Sequence, residues 1–253
     1  MTDRLRGKTI LVTGAASGIG RTVASAFVAE GALVAFTDRD EAGAAAAAAL
    51  ADPGGGAAFG VGLDVTDEDS VVRGFAAVAA RGRIDVVVAN AGVQLFGQDA
   101  PVADLDLAVW QRTLAVNLTG TFLTLKHAVR ALSEHGGSIV VTGSPTGLNG
   151  EGRDFTAYSS SKAGVHGLAR TVAAAYADRG IRVNTVVPGY TETPLVTTIS
   201  QDPASRAAIV GRTPLGRPGT PDDVVGLMVH LASDESSFST GALFRVDGGM
   251  TSL

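Results

Sequence analysis

Tyr158 and Lys162 stand four residues apart, and Ser144 lies fourteen residues before the tyrosine. Positions i and i+4 share one face of a helix, so this spacing places an ammonium group beside a phenol. A phenol has an ordinary pKa of ~10, and a fixed cation about 4 Å away favours the phenolate by on the order of 4 kcal/mol at an effective dielectric of about 20. Such a tyrosine can take a proton from an alcohol or give one to a ketone near neutral pH.

A glycine-rich turn near the amino terminus has the setting of a dinucleotide-binding site. Residues 8–13 form an apolar, β-branched run that predicts a buried strand, and a helical pattern follows over 21–30. Glycine lets a pyrophosphate approach the backbone, and the helix amino terminus offers unpaired N–H groups and a positive dipole end. The spacing is G-x-x-x-G-x-G, for which an ordinary tight turn is the alternative. The candidate cofactor-binding residues in this turn are Gly14, Ser17, Gly18, Ile19 and Gly20.

An acidic residue ends the second predicted strand. The apolar run 32–37 stops at Asp38, roughly 20 residues past the glycines, where a carboxylate accepts hydrogen bonds from adenosine ribose hydroxyls. The same charge repels a 2′-phosphate, so the sequence favours NAD over NADP. Arg39 follows directly and could pair with a phosphate, which keeps NADP as the alternative.

Composition argues against several classes of protein and of site. With 253 residues, 45% of them hydrophobic, the chain can bury the core of a complete α/β domain. A net charge of −5 without a run of Lys and Arg argues against nucleic-acid binding, and the lack of cysteine removes disulfides, thiolate metal sites and a cysteine nucleophile. Because no apolar stretch reaches about 18 residues and no signal-peptide core is present, we expect a soluble, cytoplasmic protein without a membrane segment. No metal site is expected, since metal-ligand spacing is lacking among His127, His135, His166 and His230.

Apolar strand-like runs alternate with longer helical patterns along the whole chain. This alternation predicts an α/β fold, with a doubly wound, seven-stranded parallel sheet, helices on both faces and a single domain over 1–253. Ligands of such sheets bind at the carboxyl ends of the strands. The predicted strands cover 8–13, 32–37, 57–63, 84–89, 138–142, 181–187 and 243–246. The predicted helices cover 21–30, 41–51, 67–81, 107–134, 156–179 and 221–233, the last with Thr220 as N-cap.

Further short motifs follow the predicted strands in a fixed order. They are Asp64-Val65, Asn90-Ala91-Gly92, Pro188-Gly189 and Val246-Asp247-Gly248-Gly249. Together with the glycine turn, Asn117, Ser144 and the tyrosine–lysine pair, these motifs resemble the short-chain dehydrogenase/reductase family over essentially the whole chain. The resemblance implies a Rossmann-like fold and a nicotinamide cofactor.

The resemblance also implies a set of catalytic residues. Tyr158 is the expected acid/base, and Ser144 is expected to orient the substrate oxygen. Lys162 would lower the pKa of Tyr158 and hold the hydroxyls of the nicotinamide ribose. Asn117 would help to order a water molecule that links Lys162 to solvent.

Cofactor and substrate contacts follow from the same resemblance. Asp64 and Val65 would contact the adenine, and the segment over 190–212 would act as a substrate lid. The implied cofactor contacts beyond the glycine turn are Asp38, Arg39, Asp64, Val65, Asn90, Ala91, Gly92, Tyr158, Lys162, Pro188, Gly189 and Thr191. The implied substrate contacts are Gln94, Ser144, Thr146, Tyr158 and Tyr190, and the same pocket is expected to be bordered by Leu95, Phe96, Leu148, Phe155 and Leu195.

Two features of the sequence leave alternatives open. The loop 145–155 carries Glu151, Arg153 and Asp154, which either form a solvated rim or touch a polar substrate. The predicted helices 107–134 and 156–179 form tetramer interfaces in relatives, so a homotetramer is expected. The alternative is that these helices pack only against their own sheet. In that case the apolar side chains of the first helix belong to the core of the subunit, namely Leu114, Leu118, Phe122 and Leu125.

The sequence therefore predicts reversible hydride transfer between NAD and a secondary alcohol/ketone pair. A non-catalytic dinucleotide-binding sensor or scaffold on the same fold is the main alternative. A sugar-nucleotide epimerase or dehydratase is disfavoured, because those relatives generally carry a large carboxyl-terminal substrate domain. The expected substrate is a small molecule, with a cyclic alcohol, a hydroxy-ketone and a small sugar left open.

Overall fold

Strands and helices alternate along the chain in the order that the sequence predicts. The computed structural model describes residues 3–150, 152–197 and 201–252. The strands are β1 (Thr9–Thr13), β2 (Leu33–Asp38), β3 (Ala58–Gly62), β4 (Ile84–Ala89), β5 (Gly137–Thr142), β6 (Ile181–Pro188) and β7 (Leu243–Val246). The α-helices are α1 (Gly18–Ala29), α2 (Glu41–Ala51), α3 (Glu68–Ala79), α4 (Leu107–Leu114), α5 (Gly120–Leu132), α6 (Thr156–Tyr176), α7 (Pro203–Val210) and α8 (Asp222–Ala232).

The strands form one parallel sheet in the order β3-β2-β1-β4-β5-β6-β7. Buried side chains of α1, α2 and α8 pack on one face, and those of α3, α5 and α6 pack on the other. The chain winds outward from β1 to β3 and then returns to β4 beside β1, so the strand order reverses between β1 and β4. In such a sheet a ligand crevice opens at that reversal, beyond the carboxyl ends of the strands. The predicted fold, doubly wound and seven-stranded, is confirmed.

The helix predicted over 107–134 is interrupted in the structure. A π-helical turn, Ala115–Thr119, separates α4 from α5 and carries Asn117. The Asn117 side chain accepts the Val93 N–H at 2.8 Å, and it donates to the Val93 carbonyl at 2.9 Å and to the Ser161 hydroxyl at 3.1 Å. Turns of this kind inside α-helices are rare and are frequent at functional sites. Apolar periodicity could not predict it, because its polar partners come from two distant segments.

The start predicted for the last helix is also wrong by one residue. Pro221 holds the cap position and α8 begins at Asp222, so Thr220 is not the N-cap. Instead, the N–H and hydroxyl of Thr220 donate to the Asp223 carboxylate at 2.7 and 3.0 Å. The Asp223 carboxylate, inside the first turn, thus accepts both donors of Thr220, and its negative charge suits the positive end of the helix.

The apolar set on α4 and α5 divides between the core and the surface. Leu125 is buried and Leu118 packs against the core of its own sheet, whereas Phe122 remains 45% exposed. The homotetramer therefore stays a prediction, with Phe122 as the side chain of the set most open to a partner. Within the described residues, no helix combines the length and the apolar character needed to cross a membrane.

Candidate active site

A cavity of about 400 Å³ opens at the carboxyl edge of the sheet. Small-molecule sites typically have volumes of about 300–1,000 Å³. Its wall combines the turn after β1, the ends of the neighbouring strands and the first turns of α6. The sequence-predicted residues that line it are Gly14, Ser17, Gly18, Ile19, Asp38, Asn90, Ala91, Gly92, Gln94, Ser144, Thr146, Tyr158, Lys162, Pro188, Gly189, Tyr190 and Thr191.

Three residues predicted for the cofactor, Arg39, Asp64 and Val65, are not among the residues that line this cavity. The Asp64 carboxylate accepts the N–H and hydroxyl of Thr66 at 2.8 and 2.7 Å, and these bonds hold its pKa below the ordinary value. Val65 is buried, and a Cβ added to Gly120 would overlap its side chain. Arg39 is exposed. The contacts implied for these three residues stay predictions.

The turn after β1 is shaped to receive a phosphate group. Gly14 and Gly18 have φ of +68° and +56°, where a residue with a Cβ is strained. The α1 helix begins at Gly18, three residues earlier than the pattern predicted, and Ser17 at its cap makes no side-chain cap bond. Ser17 thus leaves the first N–H groups of α1 without its side-chain cap, and Gly18 and Ile19, which carry two of them, line the cavity. Unpaired N–H groups at a helix amino terminus fit the pyrophosphate of a dinucleotide.

Asn90 closes this turn against β4. Its side-chain amide donates to the carbonyls of Thr13 and Gly14 at 3.1 and 3.2 Å. Gly20 lies buried behind the turn, where an added Cβ would fall 2.5 Å from Asn90 Nδ2 and still nearer to the Gly14 carbonyl oxygen. The third glycine of the motif is thus required by helix-to-turn packing rather than by contact with the cavity.

Asp38 is fixed at the end of β2 with its carboxylate at the cavity wall. Oδ2 accepts the Ala16 N–H at 3.2 Å, and Oδ1 accepts the Asp40 N–H at 3.1 Å. Each oxygen has further lone pairs, so the group can still accept hydrogen bonds from ribose hydroxyls. The geometry fits the role that the sequence predicts for Asp38.

The tyrosine–lysine pair lies on the cavity side of α6. Both side chains are buried, and Lys162 Nζ lies 5.8 Å from the centre of the Tyr158 ring. Nζ donates to the Thr142 carbonyl at 2.9 Å, which leaves two of its N–H groups for a ligand. The Tyr158 hydroxyl is hydrogen-bonded to Ser144. The structure therefore brings Ser144, Tyr158 and Lys162 together as predicted.

Ser144 is supported by a histidine that the sequence did not single out. The Ser144 N–H donates to His166 Nε2 at 3.3 Å, and the Ser144 hydroxyl lies 3.0 Å from that of Thr146. Burial lowers the pKa of His166 to about 4, so the ring is neutral and can accept this bond. Its Nδ1 is buried without a hydrogen bond of ordinary geometry, and the backbone of Gly147 is the group that interacts with it. His166 lies one helical turn beyond Lys162, a spacing equally common on core faces, so nothing in the sequence distinguished it from a structural histidine.

The structure corrects the expected electrostatics of the tyrosine. Burial raises the pKa of Tyr158 to about 12, although its hydrogen bond with Ser144 acts in the opposite direction. The same burial lowers the pKa of Lys162 to about 8. The protein's own groups thus keep the phenol protonated at neutral pH, because burial disfavours the charged phenolate more than the hydrogen bond with Ser144 favours it.

The predicted pocket border is partly correct. Phe96, Phe155 and Leu195 line the cavity, whereas Leu95 borders only an adjoining groove and Leu148 lies outside both. The rings of Phe96 and Phe155 meet edge to face, with centroids 6.0 Å apart. The cavity is also lined by residues of the segment predicted as a lid that were not named individually, and by Met250, which the sequence did not indicate. The lid residues are Thr193, Pro194, Val196, Ile209 and Arg212.

The segment predicted as a lid contributes to the same wall. A short 3₁₀ turn, Pro194–Val196, and α7 are its described elements, and residues 198–200 lie outside the described part. Arg206 on α7 donates to Glu192 at 2.8 Å, which ties the two ends of the segment together. In the loop before α6, Arg153 and Asp154 are exposed and 3.7 Å apart, as in a solvated rim, and Glu151 lies outside the described residues. Lid movement stays a prediction.

The chain matches a family model along nearly its whole length. The model, described as enoyl-(acyl carrier protein) reductase, covers residues 14–251 and is one of the short-chain dehydrogenase/reductase models. The chain belongs to the short-chain dehydrogenase/reductase family. Among the described residues, no three His, Cys, Asp or Glu side chains are grouped so that they could hold a metal ion.

Relatives within the short-chain dehydrogenase/reductases match over full length. Cis-4-hydroxycyclohexanecarboxylate dehydrogenase of Sinomonas cyclohexanicum is 43% identical, with 100% of both chains covered. The 3-alpha-(or 20-beta)-hydroxysteroid dehydrogenase of Mycobacterium tuberculosis is 43% identical over 98% of this chain and 91% of its own. A crystal structure from Beutenbergia cavernae, assigned as an NAD(P)-dependent gluconate 5-dehydrogenase and holding NADP at low occupancy, is 37% identical with a TM-score of 0.93 over 100% of both chains.

These similarities confirm the predicted family and fold, and they identify the protein as a short-chain dehydrogenase/reductase oxidoreductase that uses a nicotinamide dinucleotide. The relatives do not decide between NAD and NADP, because one similar structure contains NADP.

Proposed function

We propose that this protein interconverts a secondary alcohol and a ketone with NAD(H), and that Tyr158 is the acid/base. The proposal rests on one observation. A single cavity is lined at one part by the glycine turn after β1 together with Asp38, and at another part by Ser144, Tyr158 and Lys162. The relatives named above, whose names describe dehydrogenases of hydroxylated substrates, support the reaction class.

Each residue of the set has a separate task in the proposed reaction. Ser144 donates a hydrogen bond to the substrate oxygen and holds it beside the Tyr158 hydroxyl. Tyr158 takes the hydroxyl proton during oxidation and returns it during reduction. Lys162 uses its two remaining N–H groups to bind ribose hydroxyls. The turn after β1, Asp38 and Lys162 would hold NAD, which would supply the hydride acceptor and a positively charged ring.

Asn117 has a positioning role in this proposal. Its side chain already forms hydrogen bonds with Val93 and Ser161. The backbone carbonyl of Asn117 accepts the Thr121 hydroxyl at 2.6 Å. A Cβ added to Gly92 would lie 3.3 Å from Asn117 Oδ1 and 3.8 Å from Lys162 Nζ, so both groups lie close to Gly92 at the cavity wall. The water molecule that is expected to link Lys162 to solvent would have to use an oxygen lone pair of Asn117 that these hydrogen bonds leave free.

Asp38→Ala should weaken the preference for NAD. The carboxylate accepts ribose hydroxyls and repels a 2′-phosphate, so its loss removes both effects. We expect the ratio of kcat/KM for NAD to that for NADP to fall about tenfold or more, which corresponds to about 1.4 kcal/mol. Steady-state kinetics with both cofactors measures this ratio. An unchanged ratio would remove Asp38 from cofactor selection.

The substrate that we propose is a cyclic alcohol with a carboxylate. Aromatic and aliphatic side chains of Phe96, Phe155 and Leu195 can cover a ring, and the similar Sinomonas enzyme is named for such a hydroxy acid. Among the described residues that line the cavity, Arg212 is the charged group besides Asp38 and Lys162. A guanidinium recognises a carboxylate through paired N–H donors.

Arg212→Gln should therefore raise KM selectively for carboxylate substrates. A hydrogen bond to a charged group contributes about 1.5–3 kcal/mol, so KM for 4-hydroxycyclohexanecarboxylate should rise roughly 10- to 100-fold. The matched control uses cyclohexanol as the substrate of the same variant. The KM for cyclohexanol should differ from that of the parent enzyme by less than about twofold, because this alcohol lacks the carboxylate. NADH formation reports both reactions. Equal changes for the two alcohols would contradict the assignment of Arg212.

A further inference from the structure

Asp99 is a buried carboxylate that bonds to the first turn of the catalytic helix. It lies in the loop between β4 and α4 and is only 7% exposed. Oδ1 accepts the N–H groups of Ala100 and Ala157 at 3.0 and 3.1 Å, and Oδ2 accepts the Tyr158 N–H at 3.0 Å. Both oxygens are thus used, and two of the three donors belong to α6.

This carboxylate replaces the missing cap of α6. Phe155 holds the N-cap position and makes no side-chain cap bond, so the first N–H groups of α6 need acceptors from elsewhere. Asp99 supplies them from 58 and 59 residues away along the chain. A negative charge at a helix amino terminus is also favoured by the helix dipole. Buried carboxylates without such donors would carry a large desolvation cost.

Two more contacts join the same loop to the same turn. The Thr156 hydroxyl donates to the Ala100 carbonyl at 2.7 Å, and the ring of Phe96 packs edge to face on that of Phe155. The loop also carries Gln94 and Phe96 to the cavity wall. The substrate-facing loop and the segment that bears Tyr158 are therefore one connected unit, with Asp99 at its buried centre.

We propose that Asp99 is a positioning residue for the reaction, and that it fixes the Tyr158 end of α6 against the substrate-facing loop. The inference rests on the proposed role of Tyr158. Tyr158 is the third residue of α6, in the turn that frays first when its N–H groups lose their acceptors. A displacement of about 1 Å at a reacting group can lower a rate 100-fold, so a small loss of order here has a large effect on turnover.

The first test is Asp99→Ala, with Asp99→Asn as the conservative variant. We expect Asp99→Ala to lower kcat about tenfold or more while the Kd for NADH stays within about twofold, because the phosphate-binding turn is untouched. Asp99→Asn retains one carbonyl oxygen and should give an intermediate kcat. If both variants keep kcat within twofold of the parent, or if kcat and NADH affinity fall together, the positioning role is refuted.

The matched control is Asp106→Ala. The Asp106 side chain caps α4 by accepting the Ala108 N–H at 2.7 Å, and it does not line the cavity. This variant also removes a side-chain helix cap, although Asp106 is exposed and accepts one N–H rather than three, so it should cost less thermal stability than Asp99→Ala and leave kcat unchanged. A fall in kcat equal to that of Asp99→Ala would assign the effect to general destabilisation.

Amide hydrogen exchange separates this inference from the proposed function. In Asp99→Ala, peptides that cover 155–160 should exchange faster, whereas peptides of α1 should keep the parent rate. That result would hold even if Tyr158→Phe retained activity, in which case the proposed function fails and the Asp99 connection stands. Unchanged exchange over 155–160 would overturn the connection itself.

Discussion

Tyr158→Phe should lower kcat by at least about 100-fold, the usual scale of a lost general acid/base. The substitution removes only a hydroxyl from a ring that is 9% exposed, so packing around α6 should persist. The hydroxyl is the group that bonds Ser144 and that would exchange the proton with substrate. Initial rates of NADH formation with a ring alcohol measure the change, and NADH titration checks that cofactor binding stays near normal.

Tyr176→Phe provides the matched control for this prediction. Tyr176 ends the same helix, and its ring lies under the Arg179 guanidinium at 5.5 Å, away from the cavity. The identical chemical change at that position should leave kcat within about twofold, because no proton transfer depends on it. A Tyr158→Phe variant with normal NADH binding and normal turnover would contradict the acid/base assignment.

The electrostatics of the site bear on the direction of proton transfer. Burial holds the pKa of Tyr158 at about 12, so the phenol is protonated at neutral pH and ready to donate to a ketone oxygen. To act as a base towards an alcohol it needs more stabilisation of the phenolate than burial beside Lys162 provides, although Lys162, with a pKa of about 8, is still mostly protonated at neutral pH. Under the proposed function, an oxidised nicotinamide ring would supply positive charge when bound, so we expect proton abstraction by Tyr158 to require the bound cofactor.

Local patterns were sufficient for the fold and for most of the cavity wall. The strand β4, for example, covers 84–89 as predicted, because a buried parallel strand is an unbroken apolar run. Turn residues such as Gly14 and Asn90 could be assigned because their chemistry is tied to the end of a strand. The topology then brings those ends to one edge without further information.

Features that depend on distant partners could not be predicted in the same way. Asp99 caps a helix from 58 residues away, and the π turn at Asn117 depends on Val93 and Ser161. Likewise, the raised pKa of Tyr158 follows from burial, which the i, i+4 spacing does not report. In each case the deciding quantity is a three-dimensional environment, whereas the sequence shows only the residue types and their order.

Gly20→Ala should disrupt the phosphate-binding turn and thereby weaken cofactor binding. The new Cβ would lie 2.5 Å from Asn90 Nδ2 and closer to the Gly14 carbonyl oxygen. These two groups bond each other at 3.2 Å, so neither can withdraw without opening the turn. Overpacking of this kind costs about 1–3 kcal/mol, and we expect NADH affinity to fall tenfold or more, by about 1.4 kcal/mol at least.

Gly226→Ala is the same substitution in another helix and should have the opposite effect on stability. Gly226 lies within α8, and apart from the adjoining backbone of that helix no described atom lies within 4 Å of the position of an added Cβ. Alanine in an open helical position stabilises by about 0.5–1 kcal/mol because glycine loses more conformational freedom on folding. Thermal unfolding should therefore move down for Gly20→Ala and up for Gly226→Ala, and only the former should change NADH titration. Retention of full NADH affinity in Gly20→Ala would show that the turn can open without loss of binding, and it would remove close helix-to-turn packing as the reason for the third glycine.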